Sequence, residues 1–286
     1  MAEILKGKPV AAFLDEQTAE EVAKLKEKGI DTTLAILRVG ERSDDISYEK
    51  GAMKKCRNVG ISVRNTILPE DVSYEEFYRT LDELNNDPQV HGILMFRPLP
   101  KYLDNEKARN FISPGKDVDG CTDGSLTGVF IDKEIGFAPC TAEAVMETLK
   151  FYNIELKGRN VVVLGRSLVV GKPLAMLLMK RNATVTVCHT KTIDVASIAK
   201  NADIVVCCTG QMESVTSEYV SKGQTVVDVG ISYNETKQKL CGDVLFEEVE
   251  PIVGKITPVP GGIGSVTTSV LVRHVVKAAV NQINKM

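Results

Sequence analysis

The 286-residue chain lacks a CxxC pair, an HExxH run and the GxGxxG fingerprint of many dinucleotide sites. Its three histidines, His91, His189 and His274, stand far apart in sequence. No metal site is expected from such a set. Seven cysteines, an odd number, are scattered along the chain, with Cys207 and Cys208 inside the apolar run IVVCCTG. They read as small buried hydrophobes with free thiols. No apolar run approaches the roughly 20 residues that span a bilayer. The opening MAEILKGKPV carries Glu3 and no apolar stretch of signal length. The expectation is a cytoplasmic chain with no membrane partner. A formal net charge of -3 gives no electrostatic reason to expect nucleic acid. What is present is ordinary for a globular protein: 43% hydrophobic and 26% charged residues, enough for one large domain or two of usual size.

Apolar patterns alternate between the two periods of secondary structure. Helical spacing covers 18–28, 47–59 and 74–86, and compact apolar strands cover 33–39, 61–68 and 90–96. Residues 113–138, rich in Gly and Asp, read as long loops. A helix is expected over 141–152. The alternation then restarts, with strands at 160–164, 184–188, 203–208 and 224–229, helices at 173–181 and 194–199, and a long last helix over 265–284. Strands alternating with helices predict an α/β fold with parallel sheets, cut into two domains near 140–157.

The segment NVVVLGRSLVVGKPLAMLLMKR, residues 160–181, carries the binding signal. An apolar strand runs into Gly165, Gly171 follows, and Pro173 suits a first helical position. Gly165 allows a pyrophosphate to approach the backbone, and the amino end of the helix faces the anion. In NAD sites of this fold an acid about 20 residues past the first glycine binds the ribose hydroxyls. Here His189, Thr190 and Lys191 stand there instead, with Arg166 in the preceding turn. A basic corner rich in hydroxyls favours a 2'-phosphate, so NADP is expected over the alternative, NAD.

GRSLVVGKP, the ATVTVCHTKT strand end, KDVDG, the PCT at 139–141 and ITPVPGGIG together resemble the methylenetetrahydrofolate dehydrogenase/cyclohydrolase family, in the family's order and over nearly the whole chain. The resemblance implies two α/β domains around a cleft, the second of Rossmann type. Residues 1–143, completed by a C-terminal helix at about 268–286, would bind the folate, and 144–267 the dinucleotide. It implies a homodimer that oxidises 5,10-methylenetetrahydrofolate to 5,10-methenyltetrahydrofolate and hydrolyses that product to 10-formyltetrahydrofolate. Tyr48 matches the tyrosine that faces the folate, and Asp119 the aspartate that bonds the pterin ring. These two are the candidate catalytic residues. Pro260, Gly261 and Gly262 match the loop lining the cleft on the substrate side. The cofactor-binding set is Gly165, Arg166, Ser167, Gly171, Thr190, Lys191, Thr209, Gly210 and Ile231.

Two positions depart from the family pattern. The lysine four residues after the tyrosine is Ala52, and the glutamine after the strand VHGILM is Phe96. Hydride departure from the methylene carbon is assisted by the folate nitrogen lone pair and needs no general base. Hydrolysis needs an activated water and proton transfers, work suited to a lysine of lowered pKa oriented by an amide. The paired loss predicts a dehydrogenase whose cyclohydrolase activity is weak or absent, served by a separate cyclohydrolase. The alternatives are a fully bifunctional enzyme and a non-catalytic protein that binds folate and dinucleotide. A two-domain dehydrogenase of shikimate type fits the KDVDG and PVPGG loops less well.

Overall fold

A computed structural model describes residues 1–284. In chain order the elements are β1 (Glu3–Ile4), α1 (Gly7–Glu27), β2 (Thr33–Val39), α2 (Ser43–Val59), β3 (Ser62–Leu68), α3 (Tyr74–Asn86), β4 (Gly92–Met95), α4 (Asn105–Phe111), α5 (Asp123–Ile131), α6 (Cys140–Phe151), β5 (Asn160–Leu164), α7 (Gly171–Lys180), β6 (Thr184–Cys188), α8 (Val195–Lys200), β7 (Ile204–Cys207), β8 (Thr225–Asp228), β9 (Ser232–Asn234), β10 (Lys239–Cys241), α9 (Phe246–Val249), β11 (Lys255–Ile256) and α10 (Thr267–Ile283). They form two compact units, Phe13–Cys140 with α10 from Thr268 onward, and Met1–Ala12 with Thr141–Thr267.

The first of these units is built on a three-stranded parallel sheet in the order β3-β2-β4. β2 and β4 read as short apolar runs because they are buried on both faces, whereas β3 is largely exposed or half-buried. One face packs Leu37, Ile93 and Met95 against Phe77 and Leu81 of α3. Each fully buried side chain of this size contributes roughly 1.5–3 kcal/mol. Local signals set the helix ends: the Ser73 side chain accepts the Glu76 N–H at 3.1 Å ahead of α3, and Gly60 closes α2 at φ 83°.

The second unit holds a six-stranded sheet, order β1-β11-β8-β7-β5-β6, parallel throughout. From β5 the chain steps outward to β6, then returns to lay β7 on the other side of β5. That reversal marks the topological switch point, where open α/β sheets bind ligands at the strands' carboxyl ends.

Several expectations need correction. Residues 113–138 are not loops throughout: α5 forms there because Thr122 accepts the Ser125 N–H at 3.0 Å and Asp123 sits in the first turn. The short helix α4, capped by Asp104, is a further element that the apolar pattern does not announce. Helix α1 starts at Gly7, well before residue 18, and α7 starts at Gly171, which puts Pro173 third rather than first. Residues 1–12 group with the dinucleotide-type unit rather than the N-terminal one, because β1 pairs with β11. Residues 263–283 do form a stretch apolar and long enough to cross a membrane, and most of its apolar part is buried inside the protein. Residues 285 and 286 of the expected 268–286 helix lie outside the described residues.

Candidate functional site

At the switch point of the six-stranded sheet a cavity of about 300 Å³ opens over the carboxyl ends of β5, β6 and β7. Gly165, Arg166, Ser167, His189, Thr190, Cys208 and Thr209 line it. The glycine requirement is steric. Gly165 sits at φ +125°, and a Cβ there would meet the Cys208 carbonyl oxygen at 2.2 Å. A Cβ on Gly171 would meet the Gly165 carbonyl oxygen at 2.1 Å. The six-residue spacing therefore serves one close contact, the amino end of α7 packed onto the turn that leaves β5. Ser167 closes that turn, its Oγ accepting the Val170 N–H at 3.1 Å.

The basic corner divides. Arg166 and Thr190 line the cavity. Lys191 is exposed beside it, its backbone N–H bonded to His189 Nδ1 at 3.1 Å. On the far wall the N–H groups of Thr209 and Gly210 both donate to one oxygen of buried Asp243, at 2.5 and 3.1 Å. Asp243 is itself gripped by Asp228, whose Oδ1 accepts the Asp243 N–H at 3.0 Å. Burial pushes the Asp228 carboxyl up to about 7 against three backbone N–H bonds that favour its charge.

Ile231 is exposed on the loop after β8 and is absent from the cavity wall. Pro260, Gly261 and Gly262 form a loop that packs on the start of α1. The Gly7 N–H donates to the Gly261 carbonyl at 2.8 Å, Gly261 has φ +97°, and a Cβ on Gly7 would meet the Gly262 oxygen at 2.1 Å.

In the three-stranded unit the carboxyl end of β4 opens into a second cavity, about 390 Å³, lined by Arg42, Asp45, Tyr48, Phe96, Arg97 and Asp119 among others. Tyr48 and Asp119, far apart in sequence, are thus brought together. Tyr48 is 40% exposed on α2, and its ring stands edge-on to Phe96. Ala52, one turn further along α2, has no exposed surface. It belongs to the buried stripe Asp45, Glu49, Ala52, Cys56 and Val59. Lys50 and Lys54 are exposed, and Lys55 pairs with Asp15 at 2.5 Å. Asp119 lies 3.9 Å from the Arg97 guanidinium. Burial, then the charge of Asp117, push its carboxyl above the usual range, while Arg97 and His274 pull it down.

Sequence reasoning passed over Arg97, Asp243, and the Gln211, Ser214 and Tyr219 side of the dinucleotide cavity. For Arg97 a signal existed, a cation directly after Phe96. For the others none did, because the fold alone brings them in. None of the seven cysteines is in a disulfide, and five of them are buried. Among the described residues no cluster of three or more His, Cys, Asp or Glu side chains could hold a metal ion.

A doubly wound parallel sheet with a glycine turn at its switch point, joined to a second parallel α/β unit, defines a two-domain protein of the dinucleotide-binding class. Residues 5–119 match the catalytic domain of the tetrahydrofolate dehydrogenase/cyclohydrolase family, and residues 139–283 its NAD(P)-binding domain. The chain belongs to that family. It is 52% identical to the bifunctional protein FolD of Carboxydothermus hydrogenoformans over 97% of each chain. The bifunctional FolD of Campylobacter jejuni has a TM-score of 0.94 at 38% identity, covering 98% of this chain and 99% of that one. Trypanosoma brucei FolD, complexed with NADP cofactor and inhibitor, has a TM-score of 0.91 at 34% identity, covering 99% and 98%.

Proposed function

We propose that this chain oxidises 5,10-methylenetetrahydrofolate to 5,10-methenyltetrahydrofolate with NADP as acceptor, and that its methenyltetrahydrofolate cyclohydrolase activity is weak or absent. The observation that carries the reading is the pair Ala52 and Phe96. Ala52 is fully buried and Phe96 packs on Tyr48, at the positions where the family motif has lysine and glutamine. Among the described residues no lysine lines the cavity around Tyr48. Its cations are the guanidinium groups of Arg42 and Arg97, which stay protonated and cannot take a proton from water.

Oxidation asks less of the side chains. Tyr48 and Phe96 offer apolar faces to the folate and exclude water beside the reacting carbon. Asp119 accepts hydrogen bonds from the pterin. Positioning supplies much of the rate. The nicotinamide ring, when bound, supplies the hydride acceptor. The cavity at the switch point suits such a group, since Gly165 lines it with bare backbone beside Arg166, Ser167 and Thr190. Arg166, Thr190 and Lys191 together would bind a 2'-phosphate, in keeping with the NADP held by the Trypanosoma relative. Ser167, Gly171, Thr209 and Gly210 shape the turns around the dinucleotide, and Ile231 contributes backbone. Pro260, Gly261 and Gly262 contact the substrate. The protein works as a homodimer, with a separate cyclohydrolase completing the conversion.

A second reading, the fully bifunctional enzyme, is favoured by the names of its relatives. Purified protein supplied with methylenetetrahydrofolate and NADP separates them. Methenyltetrahydrofolate should accumulate, whereas prompt conversion to 10-formyltetrahydrofolate would establish the bifunctional enzyme.

A further inference from the structure

Arg97 follows Phe96 at the carboxyl end of β4, and its Nη2 lies 3.9 Å from Asp119 Oδ2 in the Tyr48 cavity. Building on the dehydrogenase reading, we infer that Arg97 is a positioning residue for the folate: its guanidinium fixes the Asp119 carboxylate as the acceptor for the pterin N–H donors.

The backbone around Asp119 is set rigidly. Its carbonyl accepts the Cys140 N–H at 3.3 Å, and a Cβ on the following Gly120 would meet Ala138 at 2.5 Å. Both side chains remain reachable, with about a third of each exposed: 28% for Arg97 and 34% for Asp119. The other charges around Asp119 need this cation. Asp117, fully buried two residues before, spends its two oxygens on the N–H groups of Cys121 and Thr122, at 3.0 and 2.7 Å. The partial burial of Asp119 itself, then the charge of Asp117, favour a protonated Asp119. Cys140 on α6 and His274 on α10 oppose them, while Asp44 and Asp45 of α2 line the same cavity with charge of the same sign as Asp117. Arg42, the other guanidinium there, is engaged with the Pro98 carbonyl at 3.2 Å and Asp45 at 3.9 Å. A protonated Asp119 would turn an O–H donor toward pterin donors, and a charge-assisted bond would be lost. Arg97 is the cation placed to prevent it.

The test is tetrahydrofolate binding by calorimetry between about pH 5 and pH 8, run beside dehydrogenase assays on wild type, Arg97→Leu, Arg97→Gln and Arg97→Lys. Removing the charge should weaken binding about tenfold at neutral pH, as expected for a charge-assisted hydrogen bond discounted for partial exposure. It should also move the acidic loss of affinity toward neutral pH, raise KM and leave kcat nearly unchanged. Arg97→Lys should restore most of the affinity. In an Asp119→Asn background Arg97→Leu should have almost no further effect. Unchanged affinity and pH profile in both neutral variants would overturn the inference, as would an equal loss in the Asp119→Asn background. Arg97→Gln keeps the test valid if Arg97→Leu fails to fold. Wild type that binds tetrahydrofolate without turnover would sink the dehydrogenase reading and leave this test intact; wild type that does not bind it would sink both.

Discussion

The Tyr48 and Phe96 rings meet edge to face, 5.8 Å between centroids at an interplanar angle of 79°. This contact joins α2 to the end of β4 and, on the proposed reading, takes the place of a hydrolytic amide. An edge-to-face pair adds about 0.5–1.5 kcal/mol beyond its buried area. It also fixes the ring that would face the folate.

Restoring the hydrolytic pair should therefore restore hydrolysis only when both changes are made. Phe96→Gln alone supplies an amide with no amine to tune, and Ala52→Lys alone supplies an amine with no amide to orient it. The double variant should raise the hydrolysis rate of methenyltetrahydrofolate at least tenfold over either single variant, a gain within the usual range of a general base. Ala52 has no exposed surface, so Ala52→Lys should also cost about 2–4 kcal/mol, read as a fall in Tm.

Much of this was legible in the sequence because the signals are local. The strands at 33–39, 160–164 and 184–188 were readable as apolar runs, and Gly165 as the turn that ends one of them. Helices without a long apolar stripe were not. α5 rests on the Thr122 cap and carries almost no one-sided pattern, and α4 is only seven residues long. The pairing of β1 with β11 joins residues some 250 positions apart, and nothing in EILK announces it. The same holds for Asp243 under Thr209: the carboxylate is chosen by the fold, not by spacing.

Gly165→Ala tests the glycine turn. The left-handed φ and the 2.2 Å approach to the Cys208 carbonyl forbid a side chain without backbone movement. A loss of at least about 2 kcal/mol in stability is expected, with dinucleotide binding weakened well beyond that of the folate. Calorimetry with each ligand separates the two effects.

Arg166→Ala tests the cofactor reading. Arg166 lines the cavity, whereas Lys191 is exposed at its edge. Replacing Arg166 should raise KM for NADP roughly tenfold and leave KM for NAD almost unchanged, and Lys191→Ala should do the same more weakly. Equal effects on both nucleotides would show that neither side chain reads the 2'-phosphate.

Asp228 gives a stability prediction with a definite sign. Its carboxyl is raised to about 7 in the folded protein, chiefly by burial, and would titrate near 3.9 when unfolded. A raised carboxyl contributes stability that is fully present below the unfolded value and is lost as pH rises toward 7. Tm should fall between about pH 4 and pH 7 more steeply in wild type than in Asp228→Asn, which cannot ionise. The variant should start lower, because an amide nitrogen cannot accept the Val244 N–H. Parallel curves would place the carboxyl's titration elsewhere.

The most direct test of the central proposal is the consumption of preformed methenyltetrahydrofolate by the purified protein, compared with its rate of NADP reduction on methylenetetrahydrofolate. The expected result is brisk NADP reduction with hydrolysis no faster than in buffer alone. Protein-dependent hydrolysis at a rate comparable with the dehydrogenase step would contradict it.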